Sequence, residues 1–253
     1  MIVKVLGCDG GVAPGFKATS FLIDGQLLID VGSVADSISI AEQSMIDYIL
    51  ISHAHLDHTG QLAFICDNCF GMRDRPFATY AHRPVLKAVK EHLFNDVIWP
   101  DFSKIPSKED PTLEFHSFEA EEKLELGDYE IIPVPVNHDG GAVGYIVIKE
   151  TKALVFTLDT GATERIWEVA KDYNVVGIFT EVSFPNRMKK VAELSYHFTP
   201  EMFKKEVSKM PQDVPLFVSH LKPNFNAELC QEIRDLGLPD VTILRSDSSI
   251  FSF

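Results

Sequence analysis

Four side chains able to hold a metal ion fall within six positions of the stretch Ile51-Ser-His53-Ala-His55-Leu-Asp57-His58-Thr-Gly60. Imidazole and carboxylate groups are ligands of zinc, manganese and iron. Along an extended backbone side chains alternate faces, which predicts that His53, His55 and Asp57 point one way and His58 another. One ion cannot easily take all four ligands from so short a piece, whereas two adjacent ions can. The cluster directly follows the apolar run Ile46-Asp-Tyr-Ile-Leu-Ile51. The end of such a buried strand is a natural place for a ligand site, which argues against a solvated loop with chance histidines.

Three later segments repeat one pattern, a β-rich run ending in a polar ligand. They are Ile131-Ile-Pro-Val-Pro-Val-Asn137-His138, Leu154-Val-Phe-Thr-Leu-Asp159 and Pro215-Leu-Phe-Val-Ser-His220. Taken singly, each terminal residue would serve as a cap or turn. Taken with the first cluster, they supply the missing ligands. His53, His55 and His138 complete one set; Asp57, His58 and His220 complete another; Asp159 is placed to bridge them. An open position then remains on each ion, which marks a catalytic rather than a closed structural site. The expected cofactor is therefore a pair of divalent cations, zinc first, with manganese or iron as alternatives. Asp30, in Leu28-Ile-Asp30-Val-Gly32, is expected either to orient a ligand by hydrogen bonding or simply to close a strand.

This ligand set resembles that of the metallo-β-lactamase superfamily, in order and over nearly the whole chain. The resemblance implies an α/β fold, a four-layer αββα sandwich of two mixed sheets, and two-metal hydrolysis. Thr180-Glu181-Val-Ser-Phe184 and Tyr196-His197-Phe-Thr199-Pro are similar to the Glu-containing and His-x-Thr motifs of the phosphodiesterase branch. That branch includes the tRNA 3′-processing endonucleases and the class II cyclic nucleotide phosphodiesterases. Phe94-Asn95-Asp96-Val-Ile-Trp99-Pro100-Asp-Phe102, Glu181-Val-Ser-Phe184-Pro185-Asn186 and Ser219-His220-Leu-Lys222-Pro223 look like the latter. Tyr196, where a glycine is common, and Phe198 depart from the pattern.

The implied reaction is hydrolysis of 3′,5′-cyclic nucleotides, cAMP or cGMP, to 5′-monophosphates. Two ions lower the pKa of a shared water and neutralise phosphate charge. His197 is the candidate acid for the leaving oxygen, with Glu181 holding its far ring nitrogen; Asp57 is placed with them among the catalytic residues. Thr199 and Pro200 also read as an N-cap followed by Pro at the first helical position. Asn95, Trp99 and Phe102 are expected substrate contacts, the two rings able to stack on a base or to pack. Alternative activities are a tRNA 3′-processing-type endonuclease or other nucleic-acid phosphodiesterase, and a thioester or lactone hydrolase. The last would need no Glu181–His197 relay.

The bulk numbers bound these readings. The chain has 253 residues, 45% of them hydrophobic, which suits one domain spanning 1–253. Its formal net charge of −14 argues against a long nucleic-acid partner, which needs a basic surface, and favours a small-molecule substrate. No run approaches the roughly 18 apolar residues of a membrane span, and the start reads as a strand rather than a signal peptide. The expected setting is cytoplasmic, with no membrane partner, and the expected assembly a homodimer. Cys66 and Cys69 read as free thiols packing one helix face.

The elements that must position these residues follow from periodicity. Strands are predicted at 2–6, 19–23, 27–30, 46–51, 130–136, 144–148, 153–157, 175–180, 216–219 and 241–244. Helices are predicted at 37–43, 61–69, 84–94, 163–172, 200–210 and 226–236. The Pro-rich, irregular stretch within 95–117 is expected to be a lid or substrate-binding insertion.

Overall fold

The computed structural model describes residues 1–246 and 249–253. The first half of the chain builds β1 (Ile2–Gly7), β2 (Ser20–Ile23), β3 (Leu27–Ile29), β4 (Tyr48–Ile51), β5 (Phe77–His82) and β6 (Leu113–Phe118). The second half builds β7 (Leu124–Leu126), β8 (Tyr129–Pro135), β9 (Val143–Lys149), β10 (Lys152–Phe156), β11 (Val175–Glu181), β12 (Leu216–Ser219) and β13 (Val241–Ile243). A last strand, β14 (Ile250–Ser252), returns to pair with β1. The sheets run β14-β1-β2-β3-β4-β5-β6 and β13-β12-β11-β10-β9-β8-β7.

Both sheets are mixed in the same way. β1, β2 and β3 pair antiparallel, and β3 to β6 pair parallel. Likewise β7 to β10 pair antiparallel, and β10 to β13 pair parallel. The two halves of the chain thus share one pattern of strand direction. Asp24 and Gly25, both at positive φ, open the three-residue turn that lets Ile23 pair with Leu27, left-handed backbone that Asp and Gly tolerate.

Alternation along the strands explains the layering. Phe21, Ile23, Leu27 and Ile29 face the opposite sheet, whereas Leu22 and Leu28 face the helices. On β10, Leu154 and Phe156 point between the sheets and Ala153 and Val155 point outward. Three hydrophobic clusters result, one between each pair of neighbouring layers. At the centre, Phe156, Phe179 and Phe217 sit at paired positions on β10, β11 and β12 and stack with centroids 4.5 and 4.6 Å apart. Such cross-strand aromatic pairs add roughly 0.5–1.5 kcal/mol each beyond area burial.

The helices are α1 (Ile40–Gln43), α2 (Leu56–Thr59), α3 (Leu62–Asn68) and α4 (Arg83–His92), then α5 (Arg165–Ala170), α6 (Lys189–Leu194), α7 (Pro200–Val207) and α8 (Asn226–Asp235). Cys66 and Cys69 are buried free thiols. Among the described residues no helix is long and apolar enough to cross a membrane.

The structure corrects the expected irregularity of the end of the 95–117 stretch. Leu113–Phe118 is the edge strand β6, not irregular chain, and Phe102–Lys104 forms a short 3-10 turn. Trp99, Phe102 and Ile105 pack into the core between the first sheet and its helices. Pro100, Pro106 and Pro111 mask the pattern, and Glu114, His116 and Ser117 dilute the apolar alternation of an edge strand.

Candidate metal centre

The site residues sit at or just past the C-terminal ends of β3, β4, β8, β10, β11 and β12, where open sheets with parallel strands bind ligands. After β4 the chain runs on to His55, which occupies the N-cap position of α2. The amides of His58 and Thr59 then donate to the carbonyl of His55 at 3.0 and 3.1 Å. Asp57 and His58 therefore lie on a helical turn. This corrects the extended-backbone expectation that Asp57 points with His53 and His55. Asp30 (φ 56), Leu158 (φ 54), Tyr196 (φ 54) and His220 (φ 63) all adopt left-handed backbone near the site. For non-glycine residues that costs about 1–3 kcal/mol each and persists only where surrounding contacts hold it.

Three groups of candidate ligand atoms result, the third, Asp159, His197 and His220, overlapping the first two. His53, His55, His138 and Asp159 place one atom each within 4.8 Å of one another, and so do Asp57, His58 and His220. In the first group, His53 Nε2 is 3.0 Å from His55 Nδ1 and 3.6 Å from Asp159 Oδ2, while His138 Nε2 is 3.5 Å from His55 Nδ1. In the second, His220 Nε2 is 3.4 Å from Asp57 Oδ2. Asp159 joins them: Oδ1 lies 3.3 Å from His58 Nε2 and Oδ2 3.3 Å from His220 Nε2. His58 and His220 are fully buried, whereas His55 is exposed and His138 half-buried, so the cluster opens to solvent on the side of the first group.

Two carboxylates anchor the cluster from behind in matching ways. Asp30 Oδ1 accepts the amide of Ser52 at 2.8 Å, and Asp30 Oδ2 accepts the Ser52 hydroxyl at 2.7 Å and faces His58 Nδ1 at 2.6 Å. The same hydroxyl lies 3.0 Å from His53 Nδ1. In the other half, Glu181 Oε2 accepts the Ser183 hydroxyl at 2.7 Å, and Glu181 Oε1 faces His197 Nδ1 at 2.7 Å. Ser183 Oγ is also 2.8 Å from His220 Nδ1. Carboxylate and serine thus fix ring orientation on both sides. Ser52 and Ser183 escaped the sequence reading. Ser183 lies two residues past Glu181, on the same face of an extended segment, and that spacing is the signal that could have found it.

Electrostatics separates the imidazoles. Burial, reinforced by His58, pushes His53 well below the ordinary histidine range, leaving a neutral ring with a free lone pair. Burial likewise lowers His138. Burial opposes the charged form of His58, but Asp159 and Asp30 on either side outweigh it and raise this ring well above the ordinary value. Burial opposes ionisation of Asp159 too, yet His220, His58 and His53 hold it well below the usual carboxylate range. The pocket therefore stabilises positive charge between ionised carboxylates and imidazoles.

The residues fit bound divalent metal on independent grounds. His58 Nε2, His220 Nε2 and Asp159 Oδ1 are buried with no hydrogen-bond partner among the described residues. Orphaned buried polar atoms are costly, and these three converge on one region. Nitrogen and oxygen ligands of a tetrahedral zinc ion lie roughly 3.3 Å apart when the bonds are near 2.0–2.1 Å, which matches the separations of 3.3–3.6 Å to Asp159.

His197 lies beside this cluster, its ring stacked on His220 with centroids 5.3 Å apart and tilted to His138 at 5.1 Å. Burial disfavours its charged form, but Glu181 outweighs burial and raises its pKa above the ordinary value. Thr199 Oγ1 caps α7 and Pro200 opens it, so the chain beyond His197 is locked into a helix start.

The three expected substrate contacts each have partners within the chain. Asn95 donates to the Glu91 carbonyl and accepts the amides of Val97 and Ile98, closing the chain after α4. Trp99 packs edge-on against Phe64, and Phe102, 5% exposed, packs against Phe70. A ring so buried has no open face for a base.

Comparison with known proteins places the chain in a family. A sequence family described as beta-lactamase superfamily domain matches residues 33–218. The chain is 26% identical to a "Probable 3′,5′-cyclic-nucleotide phosphodiesterase" of Yersinia pestis, covering 98% of this chain and 89% of that protein. It is 25% identical to a 3′,5′-cyclic-nucleotide phosphodiesterase of Aliivibrio fischeri, covering 97% and 91%. Among solved structures, unliganded yeast PDE1 superposes with a TM-score of 0.78 at 17% identity, covering 97% of this chain and 98% of that one, a likeness of fold.

Proposed function

The chain belongs to the beta-lactamase superfamily domain family, and from that premise we propose that it is a metal-dependent phosphodiesterase opening 3′,5′-cyclic nucleotides to 5′-monophosphates. The observation that carries the reading is the convergence of buried His58 Nε2, His220 Nε2 and Asp159 Oδ1, none of them hydrogen-bonded among the described residues, with the Glu181–His197 pair alongside. In this reading His53, His55 and His138 would hold one divalent cation, Asp57, His58 and His220 would hold the other, and Asp159 would serve both. Zinc suits this nitrogen-rich set best. When bound, the cations supply positive charge for the phosphoryl oxygens and make water a competent nucleophile at neutral pH.

The rest is done by the chain itself. Glu181 holds His197 Nδ1, which fixes the ring and favours its protonated form. Nε2 is then left to deliver a proton to the departing 3′ oxygen. His55 and His138, on the exposed side, frame the approach of substrate. The two relatives named for this activity, at 25–26% identity, support the choice of substrate class.

The test is turnover of cAMP, cGMP and bis-p-nitrophenyl phosphate by purified protein, with and without chelator. Chelator-sensitive release of 5′-monophosphate is expected. Turnover of a thioester or lactone alone would overturn the proposal.

A further inference from the structure

We propose that the cavity at the free edge of the second sheet binds a small molecule carrying a phosphoryl group, held between Arg234 and Arg245. The cavity encloses about 540 Å³ between α8, β13 and the loop that carries Asp9 and Phe16, a size ordinary for small-molecule sites. Neither guanidinium has an ion-pair or hydrogen-bond partner among the described residues. Arg73, Arg75, Arg83, Arg165 and Arg187 each lie against a carboxylate. Acidic side chains outnumber basic ones 37 to 23, so partners are plentiful elsewhere on the chain. Two like charges with no partner among the described residues line one cavity; both are exposed, so solvent screens their repulsion in part, and an anion between them removes the rest. Arg234 lies in the last turn of α8, where carbonyl ends favour a cation, but that accounts for only one of the pair.

The ligand class follows from the donors. Each guanidinium is a rigid fork of five N–H groups that binds oxyanions bidentately. One fork satisfies a carboxylate, whereas a phosphoryl group, with three acceptor oxygens and nearly two negative charges, suits two. Phe16, Val241 and Ile243 line the same cavity and offer an apolar wall for the carbon portion of the ligand. Asp9 also lines it, but its Oδ2 accepts the Lys17 amide and the Ser246 hydroxyl. The cavity shares no residue with the metal cluster, so the inference stands apart from the proposed reaction. The two adjoin all the same: the amide of Gly10, next to Asp9, donates to the Leu221 carbonyl, one residue past His220, at 3.1 Å.

The test uses the intact, metal-loaded protein and an arginine-specific dicarbonyl reagent, with modification mapped by mass spectrometry. Inorganic phosphate, pyrophosphate and AMP serve as separate probes. At least fivefold slower modification of Arg234 and Arg245, with Arg83 unchanged, is expected. Equal protection by phosphate and AMP would assign recognition to the phosphoryl group alone; stronger protection by AMP would add the Phe16 wall. In calorimetry the double variant R234Q/R245Q should bind the protecting probe at least tenfold more weakly, with metal content and bis-p-nitrophenyl phosphate turnover unchanged. Equal modification rates with and without all three probes, or undiminished binding by the double variant, would overturn the proposal.

Discussion

Asp30→Asn isolates the contribution of one carboxylate to ligand orientation. Asp30 is fully buried, and its Oδ2 serves both the Ser52 hydroxyl and His58 Nδ1. An amide keeps the volume, and Asn tolerates left-handed backbone like that at Asp30 (φ 56). One of its two terminal atoms must become an N–H donor. If the amide nitrogen takes the Oδ1 position, it confronts the Ser52 backbone N–H; if it takes Oδ2, it confronts the serine and the histidine. Either way a buried donor loses its acceptor, costing about 1–3 kcal/mol. His58 then loses the fixed orientation that presents Nε2 to the cluster. Removing such a supporting partner typically weakens metal affinity about 10–100-fold, or about 1.4–2.7 kcal/mol at 1.36 kcal/mol per decade. Competition against a chromophoric chelator would measure the shift, and circular dichroism at saturating zinc would establish that the variant folds. Cation affinity within twofold of the parent, in a folded variant, would refute the argument that Asp30 orients His58 for a cation.

Four other perturbations probe different links. His197→Ala should slow cyclic nucleotide hydrolysis about 10²–10⁴-fold while barely affecting bis-p-nitrophenyl phosphate, whose leaving group needs no proton; equal losses on both substrates would remove His197 as the acid. Because Glu181 raises the His197 pKa against the opposing pull of burial, the protonated ring persists above the ordinary histidine range. Its pairing with Glu181 stabilises the fold fully below that range and is lost as pH rises through the raised value. The alkaline limb of kcat should therefore move to lower pH in Glu181→Gln, and an unmoved limb would sink that assignment. Gly10→Ala would bring a Cβ within 2.6 Å of the His220 carbonyl and 3.0 Å of its ring, so elemental analysis should show one cation held more weakly than the other. Phe102→Ala should cost about 3–5 kcal/mol of stability in denaturant titration, as large-to-small core changes do, without raising KM; a raised KM at unchanged stability would restore Phe102 as a substrate contact.

The seven candidate ligands were legible in the sequence because each follows a strand with a strong apolar signature. Their grouping was legible from coordination counting, although the path of Asp57 was not: the Leu56–Thr59 turn depends on hydrogen bonds to the His55 carbonyl that no periodicity reveals. β5 stayed hidden because Phe77–His82 alternates through Thr79 and Ala81, small residues whose burial comes from being sandwiched between β4 and β6. β6 and β14 are outer strands, where fewer apolar residues are needed. For Asn95, Trp99 and Phe102 the sequence left two uses open, because aromatic and amide side chains serve cores and caps as readily as ligands.

The candidate ligands come from both sheets: His53, His55, Asp57 and His58 follow β4, while His138, Asp159 and His220 follow β8, β10 and β12. Any cation held there rivets one half of the sandwich to the other. Folding and loading then become linked equilibria, and the supply of free metal would govern how long the molecule survives before its halves part.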